Sequence, residues 1–244
     1  MNNDEFSLAM NLLTRPQRDR MRAAAEALLA SYVDLSSNRS HLLAEILDDS
    51  TPRQWAHYPE DDVVDHTSGY QFFYHSHSPD DRDPAIEHGH FHVFARLDVH
   101  GHTIGLGTEE AFLSDLNAEP LAEARTISLL CVSLSAKGLP NALFSVNRWV
   151  TGDHLLSAAT TLRLIPGFTV QVAHYRRVSN WLAALLALFW PQIEHLLIER
   201  DRVLLGLGAG RIDTGLLEDE SVEVLSSVPI DIDQQIAWLF DDAR

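Results

Sequence analysis

The sequence predicts an α+β fold: an antiparallel sheet of four to six strands with helices packed on one face. Three patterns predict it. Residues 70–77 and 90–99 alternate with period two on either side of a short connection. Two more apolar stretches, 127–134 and 142–150, flank Lys137-Gly138, and apolar residues recur with helical period toward both ends of the chain. A chain of 244 residues with 45% hydrophobic content is long enough to bury a full core. The expected organisation is N-terminal helices over residues 1–50 resting on an α+β domain over 51–244.

From Pro16, the spacing of Met21, Ala25, Leu28, Leu29 and Tyr32 predicts an amphipathic helix. Leu42, Leu43, Ile46 and Leu47 predict a shorter one, with Ser36, Ser37, Asn38 and Ser40 as capping candidates and Thr51-Pro52 ending the helical opening. His57-Tyr58-Pro59 either forms a turn or lines a cleft. In the first predicted strand Tyr70, Phe72 and Tyr74 share one face, and Gln71, Phe73, His75 and His77 share the other. In the second, Phe91, Val93, Ala95, Leu97 and Val99 oppose His90, His92, Phe94, Arg96 and Asp98.

Residues 109–125 read as partly helical. Ile127–Leu134 and Ala142–Val150 read as strands joined at Lys137-Gly138. Asp153 is the expected cap of a helix from His154 to about Leu164 that Pro166-Gly167 stops, and Phe168–His174 is a candidate fifth strand. Leu182, Leu185, Leu186, Phe189, Ile193, Leu196 and Leu197 keep helical period through Pro191, which predicts one helix kinked at the proline. Gly206-Leu-Gly-Ala-Gly210 lacks both the GxGxxG spacing and a following Lys-Ser/Thr, so it reads as a helix end and loop rather than a phosphate cradle. A short strand near Val222–Val228 and a helix around Gln234–Phe240 complete the chain.

The formal net charge is −17, and Lys137 is the single lysine beside seventeen arginines, a balance that disfavours nucleic acid and anionic membranes as partners. The acidic N-terminus does not resemble a secretory signal, and the longest apolar run, Trp181–Trp190, is about half the roughly 20 residues that cross a bilayer. Cys131, the one cysteine, sits in an apolar strand as a buried thiol. The expected location is cytoplasmic.

Chemistry concentrates in the histidines. Nine of the thirteen fall between His57 and His102, and four form two His-x-His pairs, His75/His77 and His90/His92. Pairing the two strands so that residue numbers sum to 167 sets His75 opposite His92 and His77 opposite His90, with Phe73 opposite Phe94 and Gln71 opposite Arg96. Opposed Cβ atoms are roughly 4.5–5.5 Å apart, close enough for imidazoles to share one ion. The expected ligands are therefore His75, His77, His90 and His92, and the expected ion is iron or zinc. The same pattern is compatible with a solvated polar face or a pH-sensitive patch.

Glu87, three residues before His90, completes a His-plus-carboxylate set or acts as a general acid/base, or else is one of the loop acids with Asp80, Asp81 and Asp83. His88 is a reserve ligand. Arg148, in Asn147-Arg-Trp-Val-Thr-Gly152 at a strand-to-helix junction, is a candidate anion holder, or pairs with an acid while Trp149 enters the core. The cupin pattern does not fit, because the carboxylate four residues after His77 is Asp81, in the connection rather than on the strand.

Trp55-Ala-His-Tyr-Pro59, Gly89-His-Phe-His-Val-Phe94 and Asn147-Arg-Trp-Val-Thr-Gly152 resemble an uncharacterised bacterial domain family, over most of residues 50–230. That resemblance implies no activity. From the residues themselves, the expected function is a mononuclear metal-binding protein: three ligands leave a position open for metal-dependent oxygenase or hydrolase chemistry, and four make the ion structural. The rival is a metal-free module that binds a small acidic or aromatic molecule through Gln71, Phe73, Phe94 and Arg96. A third reading is a partner protein that presents the Trp181–Trp190 helix.

Overall fold

Short connections at 66–69, 77–88 and 135–139 leave hairpins as the simplest antiparallel pairing of the strands they join. The computed structural model describes residues 10, 12–48, 50–54, 56–77, 87–121, 123–209 and 215–241. Trp55, Asp80, Asp81, Asp83 and Gly210, named above, lie outside the described residues. Six strands form one antiparallel sheet in chain order: β1 (His57–Asp65), β2 (Tyr70–Ser76), β3 (Gly89–Arg96), β4 (Thr126–Leu134), β5 (Pro140–Val146) and β6 (Val224–Pro229). The helices among the described residues are α1 (Arg15–Ser37), α2 (Leu42–Leu47), α3 (Leu97–His100), α4 (Leu106–Asp115), α5 (Arg148–Thr151), α6 (Ala158–Leu164), α7 (Arg176–Leu188), α8 (Trp190–Gly208) and α9 (Ile232–Leu239).

Alternation along the strands builds two unlike faces. Phe72, Tyr74, Phe91, Val93, Ala95, Leu130, Val132 and Leu143 turn to one side, where α7 and α8 cover them. Trp181 of α7 is fully buried there, its ring centroid 6.1 Å from that of Phe91. Met21, Ala25 and Leu28 of α1 join the same core. The opposite side of the sheet carries the histidines.

Several elements differ from the sequence expectation. Strand β1 goes unpredicted because Pro59 and the acidic run Glu60-Asp61-Asp62 interrupt its alternation; its register shifts between Tyr58 and Val63, with Asp62 at φ 57°. Residues 168–174 are not a strand. Side chains at the β1–β2 turn hold that segment instead: Gln171 N–H donates to Asp65 Oδ2 (2.9 Å) and Ser68 Oγ–H to the Thr169 carbonyl (2.6 Å).

α6 begins after Ser157, whose hydroxyl caps it, rather than after Asp153. His41 Nδ1 caps α2; of the residues expected to do so, Ser36 and Ser37 lie in the last turn of α1, Asn38 is its C-cap and Ser40 precedes the cap. Where one kinked helix is expected, α7 and α8 are separate and bent by 76°. Pro191 falls in the first turn of α8, where its missing N–H costs no hydrogen bond. Apolar period survives the break because both helices face one core. Among the described residues no single helix is long and apolar enough to cross a membrane.

The histidine strands keep their predicted faces but not their predicted register. Residue numbers of paired positions sum to 165: His75 opposes His90, Phe73 opposes His92, Gln71 opposes Phe94 and Tyr74 opposes Phe91. A slip of two leaves every side chain on its own face, so alternation cannot detect it. Gly89 accounts for the observed register. It lies opposite Ser76, with the Tyr74 ring across it; a Cβ there would stand 2.2 Å from the His75 carbonyl and 2.5 Å from Tyr74 Oη.

Replacing Gly89 with alanine should therefore destabilise the protein by about 1–3 kcal/mol, the usual cost of overpacking. Urea unfolding of parent and variant measures it. An unchanged midpoint would show that Tyr74 does not need the open space above Gly89.

Candidate functional site

The register places histidines from three strands in one rung: His57 on β1 pairs with His75 on β2, and His75 with His90 on β3, which in turn faces Ser133 on β4. The adjacent rung runs Phe73, His92, Cys131, Phe144. Flat rings stack along this floor. His57 lies 3.8 Å from Phe73 between centroids, Phe73 4.7 Å from His92 and 5.6 Å from Phe94, each pair near parallel. His75 lies flat against His90 at 5.3 Å.

Over the floor is a cavity of about 500 Å³, bounded also by Asp62, Gln71, His77, Thr126, Trp149, Val150, Thr151, Asp153 and Glu223. The Trp149, Val150 and Thr151 edge belongs to α5, a single turn held from outside. Asn147 Nδ2 donates to the Leu216 carbonyl (3.0 Å), and Trp149 Nε1 donates to the Val222 carbonyl (2.9 Å). Arg148 points away from the histidines. Its Nε donates to Glu218 (2.6 Å) and its Nη1 to the Glu119 carbonyl (2.7 Å), so its guanidinium is committed to holding α5 and not to an anion.

Of the expected ligands, the structure gathers all four rings but converges donor atoms from two of them with Glu87. His77 Nε2 is 3.3 Å from His90 Nδ1 and 3.5 Å from Glu87 Oε1, and His90 Nδ1 is 2.6 Å from the same oxygen. His90 Nε2, the far side of that ring, is 2.9 Å from His92 Nε2, and His92 Nδ1 is 3.3 Å from Cys131 Sγ. His88 is not a reserve ligand: it turns to the other face, its Nδ1 2.8 Å from Tyr74 Oη. Arg96 also stays out of the cavity, pairing with Asp98 and with Gln71 Oε1.

Burial sets the protonation of two groups in this chain of contacts. His92 is held well below the usual histidine range, first by burial and then by the neighbouring imidazoles, so it is neutral at pH 7. Burial, reinforced by Glu87, pushes the Cys131 thiol well up, and it keeps its proton. With His90 neutral as well, the three contacts close when the Cys131 thiol donates to His92 Nδ1, His92 Nε2–H to His90 Nε2, and His90 Nδ1–H to the Glu87 carboxylate.

Elsewhere in the cavity, burial raises two carboxyls. Asp62 is raised, with His57 opposing the shift; Asp153 is raised, with hydrogen bonds from Thr126 and Thr151 opposing it. Sequence reasoning missed both acids because each sits in an irregular segment that period-two counting skips. His57 it left open, and the residue proves to line the cavity.

A family model described as a domain of unknown function (DUF6969) matches residues 22–230, a span that contains every residue of the cavity. No curated protein and no solved structure matches the chain.

A histidine kept neutral by burial ties stability to pH. Unfolded, His92 titrates near 6.5 and takes up a proton that the folded protein refuses, so stability falls as pH drops below that value. In chelator, His92→Gln should flatten the dependence of unfolding free energy on pH between 6.5 and 5 by up to about 1.4 kcal/mol per pH unit, one proton's worth. Identical slopes in parent and variant would show that His92 is not protected from protonation.

Proposed function

The chain thus belongs to the DUF6969 family, and we propose that it is a metal-binding protein whose ion, iron or zinc, is held by His77, Glu87 and His90. The observation that carries this reading is the mutual approach of three ligand atoms, all within 4.8 Å of one another. Their separations of 2.6, 3.3 and 3.5 Å define a triangle whose circumscribed radius is about 1.8 Å. Bonds of about 2.0–2.1 Å to nitrogen and oxygen are longer than that radius, so one ion could be held by all three atoms as they stand.

Two imidazoles and one carboxylate form the donor set of hydrolytic zinc sites and of non-haem iron sites, with positions left for water, dioxygen or substrate. Glu87 is then a ligand rather than a free general base. His92 would steady the second nitrogen of His90, as outer partners of metal-bound histidines commonly do, and His75 would fix the ring plane by stacking. With an ion on Nδ1, a neutral His90 ring would carry its proton on Nε2 and donate it to His92 Nε2, the reverse of the metal-free order. Affinity should fall in acid because protons compete for the ligand atoms.

One observation favours a second reading, a metal-free binding module: the run from Cys131 through His92 and His90 to Glu87 closes its hydrogen bonds with no ion present. Elemental analysis of untagged protein separates the two. The parent should carry about one equivalent of iron or zinc, and the His77→Ala/His90→Ala double variant should fall to background, since one remaining carboxylate cannot retain the ion. Both rings lie on the face away from the main core, so circular dichroism should change little. Glu87→Gln should weaken metal affinity by at least tenfold. No metal in the parent after growth in supplemented medium, or a full equivalent in the double variant, would leave the binding-module reading standing.

A further inference from the structure

The residues that bound the cavity say what kind of molecule it accepts. Phe73, Phe94 and Trp149 supply apolar ring surface, and Asp62, Asp153 and Glu223 supply carboxylates. No lysine or arginine lines it among the described residues. The two nearest candidates are engaged elsewhere: Arg96 with Asp98 and Gln71, Arg148 with Glu218 and the Glu119 carbonyl. Away from the histidines and the proposed ion, a ligand that presents a carboxylate or phosphate would find only like charge at Asp62, Asp153 and Glu223. The whole chain repeats that bias, with a formal net charge of −17.

Resting on the metal reading above for what happens at the other side of the floor, we infer that the cavity takes a small organic cation: a protonated amine on a flat apolar body. The amine would sit against Asp62 and Asp153. Both side chains are held in place, Asp62 by Gln71 Nε2 (3.2 Å) and His57 Nδ1 (3.3 Å), Asp153 by the Thr126 hydroxyl. An ionised carboxylate has about four acceptor sites, so each keeps capacity for an ammonium.

The flat body would lie on the ring floor. Asp62 meets His57, His57 stacks on Phe73, Phe73 stacks on His92, and His92 meets His90. This sequence of contacts runs from the carboxylates to the proposed ion, so a ligand anchored at one side extends its body toward the other. Aromatic faces add attraction for the cation itself. A volume of about 500 Å³ lies within the usual range for small-molecule sites. Burial raises both carboxyls, and an ammonium beside them would favour their ionised form.

Isothermal titration calorimetry on the full chain tests this with three probes of one shape: 2-phenylethylamine, 2-phenylethanol and phenylacetate. Each is titrated into chelator-treated protein and into protein carrying one equivalent of zinc. In chelator-treated protein the amine should bind at least tenfold more tightly than the alcohol or the acid; the zinc arm reads any added binding of phenylacetate to the ion. Asp62→Asn/Asp153→Asn should lower amine affinity at least tenfold while metal content and circular dichroism stay at the parent's values.

Should the double variant fail to fold, the single variants Asp62→Asn and Asp153→Asn should each weaken the amine and leave the alcohol unchanged. Phenylacetate binding as well as the amine, or amine affinity indifferent to these substitutions, would overturn the inference. The two readings fail separately: a metal-free parent that still prefers the amine removes the ion alone, and a metal-loaded parent without that preference removes the amine alone.

Discussion

The pairing of β2 with β3 is the constraint on which the site depends. Tyr74 lies over Gly89, and this one contact sets which residues meet along the whole hairpin. On the helix side it places Tyr74 against Phe91, with ring centroids 5.2 Å apart, and buries both beneath α7. On the other side it brings His75 beside His90 and Phe73 beside His92. The register that sums to 167 would keep the same apolar core but pair His75 with His92 and His77 with His90 instead. The core and the candidate site are thus specified by different information, the first by alternation and the second by a glycine under an aromatic ring.

That division explains what was legible in the sequence. Face assignment was legible because period-two alternation is strong in both strands, and all four histidines of the pairs lie on the predicted side. Their mutual pairing was not, since a two-residue slip leaves the pattern untouched. His57 was obscured by Pro59 and the acids after it, which hide β1 and with it the third histidine of the rung. Cys131 was correctly read as a buried strand thiol, yet its contact with His92 depends on how β3 meets β4, which no local pattern records. Arg148 was given two readings, and the structural one accounts for its contacts: an arginine beside a helix start looks the same in sequence whether it faces a ligand or an acid forty or more residues away.

The two sides of the sheet also show how differently burial acts on polar groups. Beneath α6, Glu109 is buried but accepts from Ser157 N–H (2.8 Å) and from the hydroxyls of Ser157 and Thr160, and Arg200 is buried against Asp201 and the Leu156 carbonyl. These groups are saturated with partners and tie helices together. Around the cavity, burial raises Asp62 and Asp153, each of which meets two side chains and keeps acceptor sites beyond them. The first kind of network consolidates a fold; the second keeps chemical capacity in reserve.

The way α5 is held has a consequence for recognition. Four hydrogen bonds from three successive residues, Asn147 to Trp149, run to residues 119, 216, 218 and 222, and none reaches the histidine floor. The ceiling of the cavity is therefore hung from the periphery of the protein, and its height is independent of what lies beneath. A guest entering a chamber braced in this way has little of the wall to organise, so less of its binding free energy is consumed in ordering the host. The same arrangement makes the chamber's dimensions answerable to a half-exposed carboxylate, Glu218, that no inspection of the histidines would single out.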